Sequence, residues 1–293
     1  MPEAPPVTTA RRPVKFSWSS HMAASRSGEG TAFAQPYGCV ILVRVDILAL
    51  YDIHGNVDAL TAVLADPRTA GPDAVVVGGD AVPGPFAAQA LERLDALGPP
   101  VHWVRGNGER EVGAAVGAPA PDPGDAVAVT AALSAAAVGD ERARALGALP
   151  LTAVLDGVRF CHASPRRDDE LLTPLSPPAR WAQALEGVTE EALVVAGHTH
   201  RQDDRRVGAV RFVNAGSVGL PYEGDGAARW LWIADGTPHL RRTAYDAAGA
   251  GARMLEAGWP DEDSVRAALV APLPADEITR LFEEQARGRA RGV

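Results

Sequence analysis

The stretch Leu50-Tyr51-Asp52-Ile53-His54-Gly55-Asn56 follows an apolar, β-branched run, Val40 to Leu50, and precedes a helical pattern with Val57, Leu60 and Leu64 on one face. An aspartate and a histidine two apart, where a strand gives way to a loop, can both aim at one point beyond the strand end. In open α/β sheets that is where ligands sit. On its own the stretch is also readable as a capped helix start, with Asn56 as the cap.

The same event recurs along the chain. Asp73 to Val77 is a short apolar strand ending in Gly78-Gly79-Asp80. Phe86 to Leu97 is predicted as a helix, and Val101 to Val104 as a strand ending in Arg105-Gly106-Asn107-Gly108-Glu109. Leu151 to Leu155 and Val158 to Cys161 are joined by Asp156-Gly157, a strong hairpin signal, and the second run leads into His162. A helix at Pro178 to Leu185 precedes the buried strand Ala192 to Ala196, which ends in Gly197-His198-Thr199-His200. Val210 to Val213 leads into Asn214-Ala215-Gly216-Ser217-Val218-Gly219, and Trp230 to Ile233 with His239 to Ala244 form a last antiparallel pair. Strand alternating with helix predicts an α/β layered fold.

Asp52, His54, Asp80, Asn107, His162, His198 and His200 thus stand behind five strand ends, and they include four of the chain's seven histidines. Each piece alone is ordinary: Gly-Asp and Gly-Asn are common turns, and a His-x-His can be a solvated loop. Their order is harder to obtain from unrelated turns. Carboxylate, imidazole and amide groups without thiolate suit Mn, Fe, Zn or Co. Seven side chains exceed one tetrahedral ion and suit two ions sharing a bridging carboxylate.

Composition bounds the alternatives. The 293 residues allow one large α/β domain or two small ones, and the 46% apolar fraction supports a sizeable core. Aromatics are only 5%, so helix packing should rely on small side chains. Lys and Arg number 28 against 37 Asp and Glu, a net charge of −9, which argues against an extended nucleic-acid surface. Two cysteines, Cys39 and Cys161, cannot build a disulfide framework, and Cys161 is expected to pack as a small apolar residue. Arg44 and Asp46 interrupt the longest apolar run, and no hydrophobic segment follows Arg11-Arg12, so a cytoplasmic protein without membrane association is expected. Residues 1–38 have the composition of a disordered tail, 39–245 of a domain with an Ala-rich helical insertion at about 112–149, and 246–293 of a helical extension.

The ordered motif set resembles the calcineurin-like metallophosphoesterase superfamily, over about residues 43 to 245. Asn214 to Gly219 looks like its Asn-Pro-Gly-Ser-Val-Gly loop with Ala at the proline position. Within the superfamily the chain is most similar to the small bacterial phosphodiesterase-type branch. The resemblance implies a four-layer α/β/β/α sandwich. It also implies two divalent ions (Mn, Fe, Zn, Ni or Co), the first on Asp52, His54, Asp80 and His200, the second on Asp80, Asn107, His162 and His198, with Asp80 bridging and holding the metal-bound hydroxide. Two such ions about 4 Å apart bind phosphoryl oxygens, generate hydroxide near neutral pH and stabilise in-line displacement. The implied activity is hydrolysis of a phosphodiester or phosphomonoester in a small phosphorylated substrate, nucleotides included. The alternatives are a dinucleoside-polyphosphate pyrophosphohydrolase and a non-catalytic metal-binding scaffold.

One position departs from the pattern. The family's usual Gly-Asn-His-Asp/Glu is here Gly106-Asn107-Gly108-Glu109, so the general-acid histidine is replaced by Gly108. Loss of such help costs a factor of about 10² unless a neighbour substitutes or the leaving group is good. Glu109, Arg105 and His102 are the nearest candidates. Glu109 and Arg105 are also readable as solvated loop charges, and His102 as a strand residue packed beside Trp103. Arg201 could touch substrate phosphate or be a surface arginine. Trp230 and Trp232, alternating on a strand, are expected in the core or an interface.

Overall fold

The structure, a computed structural model, describes residues 45–189 and 191–291. The tail assigned to 1–38, Arg11-Arg12, Cys39 and the part of the first expected strand before residue 45 lie outside the described residues. What is described of that strand is β1 (Ile47–Leu50), all four residues buried.

Two five-stranded sheets make the framework. In the first, β1, β2 (Ala74–Val77) and β3 (Val101–Trp103) run parallel. Strands β9 (Ala228–Ala234) and β10 (Thr237–Thr243) extend it antiparallel beyond β1. In the second, β5 (Val158–Cys161), β6 (Leu193–Ala196) and β8 (Val210–Asn214) run parallel, flanked by antiparallel β4 (Thr152–Leu155) and β7 (Asp203–Val207).

The period-two alternation of strand side chains divides the core. Ile47, Ala49, Val76, Leu231 and Ile233 of the first sheet meet Phe160, Leu193, Val195 and Val213 of the second in one buried cluster. Leu48, Leu50, Val75, Val77 and Trp230 point the other way, onto α1 (Val57–Leu64) and α2 (Ala87–Asp95). Val194, Ala196 and Phe212 cover the outer face of the second sheet with Trp181 and Ala184 of α6 (Pro178–Ala184). The result is the expected α/β/β/α sandwich. Cys161 and Trp230 are fully buried, and the Trp230 indole donates to Thr243 Oγ1 at 3.0 Å.

Helices α4 (Ala126–Val138) and α5 (Asp140–Gly147) fall where the Ala-rich pattern put them. Two elements differ from the expectation. Asn107–Ala115 is a helix, α3, although Arg105 to Glu109 read as a turn and Gly108 and Gly113 both lower helix propensity. Strand β7 has no apolar alternation at all. Its charges are paired instead: Arg205 lies over the Trp181 ring, 4.4 Å to the centroid, and Asp204 takes Arg211 from β8. Charged side chains on an edge strand also discourage further strand pairing.

The extension contributes α7 (Ala247–Glu256), the short α8 (Glu262–Val265), a π-helical turn Arg266–Val270, and α9 (Ala275–Arg291). It builds a separate apolar cluster in which Met254, Trp259, Val265, Leu269 and Ile278 pack on Leu220 and Tyr222 from the loop after β8. Among the described residues no helix is long and apolar enough to cross a membrane.

Candidate metal centre

Both sheets deliver their parallel strand ends to one rim, and the loops there are laced together. Asp52 N–H donates to Gly79 O and His54 N–H to Asp80 O, both at 3.0 Å, while Gly197 N–H donates to His162 O at 2.8 Å. Val218 and Gly219 reach across from the second sheet and donate to Tyr51 O and Asp52 O at 2.9 Å. Asn214 is not aimed at the centre. Its amide donates to Gly197 O at 2.6 Å and Thr199 Oγ1 at 3.0 Å, fixing the loop that carries His198 and His200. Asn56 is a helix cap, accepting from Ala59 N–H at 3.0 Å and donating to Gly219 O at 2.8 Å.

Asp52, His54, Asp80, His198 and His200 all have left-handed backbones, with φ of 53°, 47°, 52°, 66° and 55°. This conformation is costly for a side-chain-bearing residue and persists where the surroundings over-determine it. It turns successive side chains inward from a chain that is leaving its strand.

The side chains gather into two groups, Asp52, His54 and His200, and Asp80, His162 and His198, each with its ligand atoms within 4.8 Å of one another. The groups are contiguous. His162 Nε2 is 3.4 Å from Asp80 Oδ2 and 3.7 Å from Asp52 Oδ1, and His54 Nε2 is 3.9 Å from Asp80 Oδ2. Asp80 thus lies between them. Asp52 Oδ2 accepts from His198 N–H at 2.9 Å, and Asp80 Oδ1 from Gly108 N–H at 2.7 Å, which leaves the other oxygen of each facing the centre. A Cβ on Gly197 would collide with Asp52 Oδ2 and Tyr51, so only glycine lets the His198 loop approach Asp52.

Several observations test whether this set suits cations. Asp52 Oδ1, Asn107 Oδ1, His162 Nε2 and His198 Nε2 are buried polar atoms with no hydrogen-bond partner, a costly arrangement unless something is bound. Three imidazoles turn Nδ1 to a carbonyl: His54 to Pro83 O at 3.2 Å, His162 to Gly78 O at 3.1 Å and His200 to Leu220 O at 2.7 Å. Donation from Nδ1–H fixes the tautomer and leaves the Nε2 lone pair for a metal. His54 Nε2 and His200 Nε2 lie 3.2 Å apart, and with both Nδ1 atoms donating to carbonyls this approach requires a proton or a cation between them. Burial opposes charging His162, yet Asp80 and Asp52 push its pKa up to about 10, whereas burial and His162 lower that of His198 to about 4. The carboxylates therefore draw positive charge into the pocket. The donor set fits divalent ions.

Glu109, Arg105 and Arg201, the candidate substrate contacts, are engaged by other partners, while His102 is the strand residue that its alternative reading made it. Glu109 is a fully buried helix-cap carboxylate rather than a solvated charge or a group free for substrate. It accepts the N–H of Asp80, Ala81 and Gly106 at 2.8 Å and of Val82 at 3.4 Å, and burial with the nearby Asp80 raises its pKa to about 7. Arg105 is spent on Asp168 at 3.2 Å, together with Arg110. Arg201 turns to α9, where it meets Thr279 and, at 3.0 Å, Asp276. His102 sits within β3, paired with Val76 across the ladder and away from the rim.

A cleft of about 300 Å³ opens over the centre, with His54, Asp80, Asn107, His198 and His200 at its floor. Its walls include Glu111 of α3 and residues of α4 and of the extension, none of which the motif pattern had marked. Burial and Asp80 raise the pKa of Glu111. Only the strand-end residues carried a signal in the sequence; a wall residue on an amphipathic helix looks like any other.

This fold, with candidate aspartate, asparagine and histidine ligands at the strand ends of paired sheets, is that of the metallophosphoesterase class of proteins. The model for the calcineurin-like phosphoesterase superfamily domain matches residues 45–232, and the chain belongs to that superfamily. No curated protein matches the sequence significantly. Among solved structures, the metallophosphoesterase of Sphaerobacter thermophilus is 25% identical, with 78% of this chain and 99% of that one covered and a TM-score of 0.63. A hypothetical protein of Pyrococcus horikoshii OT3 is 20% identical, with 76% and 97% covered and a TM-score of 0.63. The Escherichia coli phosphoesterase YfcE matches at 21% identity, with 65% and 88% covered and a TM-score of 0.39.

Proposed function

We propose that this chain hydrolyses small phosphate esters with a pair of divalent cations. Asp52, His54, Asp80 and His200 would hold one, and Asp80, Asn107, His162 and His198 the other. The observation that carries the reading is the convergence of four orphaned, buried donor atoms on one rim between two carboxylates. When bound, such a pair supplies Lewis acidity to the phosphoryl oxygens and lowers the pKa of water.

The chain's own residues do the rest. Asp80, anchored by Gly108 N–H and flanked by His162 and His54, keeps both positions in register. The carbonyls of Pro83, Gly78 and Leu220 orient three imidazoles. Residue 108 offers no proton, Glu109 and Arg105 are engaged elsewhere, and His102 lies within β3. This favours esters whose leaving group departs without strong protonation, diesters of phenols among them, over monoesters of alkyl alcohols.

Purified full-length protein incubated with Mn, Ni, Zn or Mg should bind two equivalents by elemental analysis and hydrolyse an aryl phosphodiester faster than an aryl monoester. Asp80→Asn should lose one equivalent and fall to background turnover. Absence of hydrolysis with every metal, or activity unchanged in Asp80→Asn, would overturn the reading. Bound metal without turnover would favour the scaffold alternative, which the filled space at Gly108 supports. Preferential cleavage of a dinucleoside tetraphosphate would favour the pyrophosphohydrolase.

A further inference from the structure

The cleft continues beyond the metal-facing residues, and its far wall has a chemistry of its own. Tyr222 stacks on His200, ring centroids 4.9 Å apart and planes at 17°, and Phe282 lies 5.8 Å from Tyr222. Trp259 and Met254 extend this apolar wall, and Ser264 and Gln285 put polar groups beside it. Three of the chain's sixteen aromatic residues (six Trp, four Tyr, six Phe) thus line one face of one cleft. The placement follows from the helices: Phe282, Gln285 and Arg289 recur at i, i+3 and i+7 on α9, a single stripe directed at the site.

Size and charge narrow the occupant. About 300 Å³ is at the small end of ligand pockets and admits neither a polymer nor a long acyl chain. Glu111 and Asp261 line the cleft, Arg289 beside them donates from Nη1 to Asp169 O at 3.2 Å, and the chain carries −9 overall, so the end at the candidate metal ligands is the one that suits a phosphate. A flat ring against Tyr222, Trp259 and Phe282, with heteroatoms reaching Ser264 and Gln285, matches the rest.

We infer that α7 to α9 and the loop before α8 form a subsite for the nucleoside part of a small phosphate ester, with Phe282, Trp259 and Tyr222 selecting a planar heteroaromatic ring. This rests on the phosphoester reading above for the position of the phosphate. The extension is then a specificity element, and the ring it holds decides which esters bind.

The test compares adenosine 5′-monophosphate with glycerol 3-phosphate by calorimetric titration into the full-length protein. Both are phosphate esters of a primary alcohol, so their difference reports the nucleoside part, and its loss in the Phe282 variants reports the ring. Adenosine monophosphate should bind about tenfold or more tightly, the scale of one base on an aromatic platform. Phe282→Ala, and Phe282→Leu, which keeps apolar volume without a flat ring, should bring the affinity ratio toward one. Equal affinities in the wild type, or a ratio that survives both variants, would overturn the inference. Binding is read apart from turnover. Preferential binding by a protein that hydrolyses no aryl phosphodiester with any of the metals would support the subsite while removing the phosphoesterase reading. Equal binding with normal hydrolysis would remove the subsite alone.

Discussion

Gly108 stands where no side chain fits. A Cβ there would lie 2.6 Å from Pro83 Cδ and closer still to the Val82 carbonyl oxygen, and its N–H is committed to Asp80. The family's histidine is therefore not merely missing: the Val82–Pro83 turn fills the space it would need. Gly108→His should consequently fail to raise monoesterase activity and should destabilise the fold by about 1–3 kcal/mol, as overpacking does. A urea titration gives the second quantity through the midpoint, and a gain in alkyl-monoester turnover would show that the turn yields. Glu109, one residue on, teaches the complementary lesson. In sequence it is a charge in a polar turn; in the fold it is the carboxylate that caps α3 and collects the N–H groups of the Asp80 turn. Nothing in a single sequence separates those two environments, because both favour the same residue type. The seven candidate ligands could be picked out for the opposite reason: each follows an apolar strand that can be recognised by itself. The left-handed backbones of five of them were not legible, since φ is settled by the surrounding loops.

Among elements, α9 is the one whose position matters most to the cleft and was least readable. Its amphipathic pattern says that one face is buried and leaves open against what. The answer lies in single residues far from it in sequence. Glu283, only 2% exposed, accepts from Thr173 Oγ1 at 3.1 Å, Ser176 Oγ at 3.0 Å and Arg180 Nη1 at 2.9 Å. Arg201 adds Thr279 and Asp276. These contacts seat Phe282 and Gln285 over the centre. Glu283→Ala leaves three donors without their acceptor and should cost about 1–3 kcal/mol. The loss should appear locally, as faster amide hydrogen exchange in α9 with β1 and β6 unchanged. Uniform protection across the chain would mean that α9 is held by its apolar face alone. Strand β7 escaped the sequence reading for a related reason. Asp203 to Val207 make their contacts through ion pairs and a cation over Trp181, which leave no hydrophobic period to detect.

At the scale of the molecule, the sandwich was legible because its strands are short, apolar and punctuated, and hydrophobic alternation decides which face meets the other sheet. What ties the helical layer to the sheet edge is polar and was not legible. Asp66, between α1 and β2, binds Arg68 at 2.6 Å and accepts from Thr243 Oγ1 at 2.6 Å, and Thr243 in turn accepts from the Trp230 indole. Arg68 above all, opposed by burial and aided by Thr243, holds the Asp66 carboxyl well below its ordinary value of 3.8. Asp169 and Asp204 are likewise lowered, by Arg167 and Arg211. For each, the unfolded chain binds the proton more readily than the folded one. Their stabilisation is therefore present above about pH 4 and lost as pH falls from there toward the lower folded values. Asp66→Asn isolates one such contribution. At pH 6 the variant should be less stable than wild type by on the order of 1 kcal/mol, a modest value because half of the Arg68 side chain is solvent-screened. Below pH 4 the unfolded chain's carboxyl takes up its proton first, and the gap between the two urea midpoints should narrow progressively as pH falls toward the lower folded value. A gap that stayed constant from pH 6 to pH 2 would show that Asp66 contributes through shape and neutral hydrogen bonds, and that its charge contributes nothing.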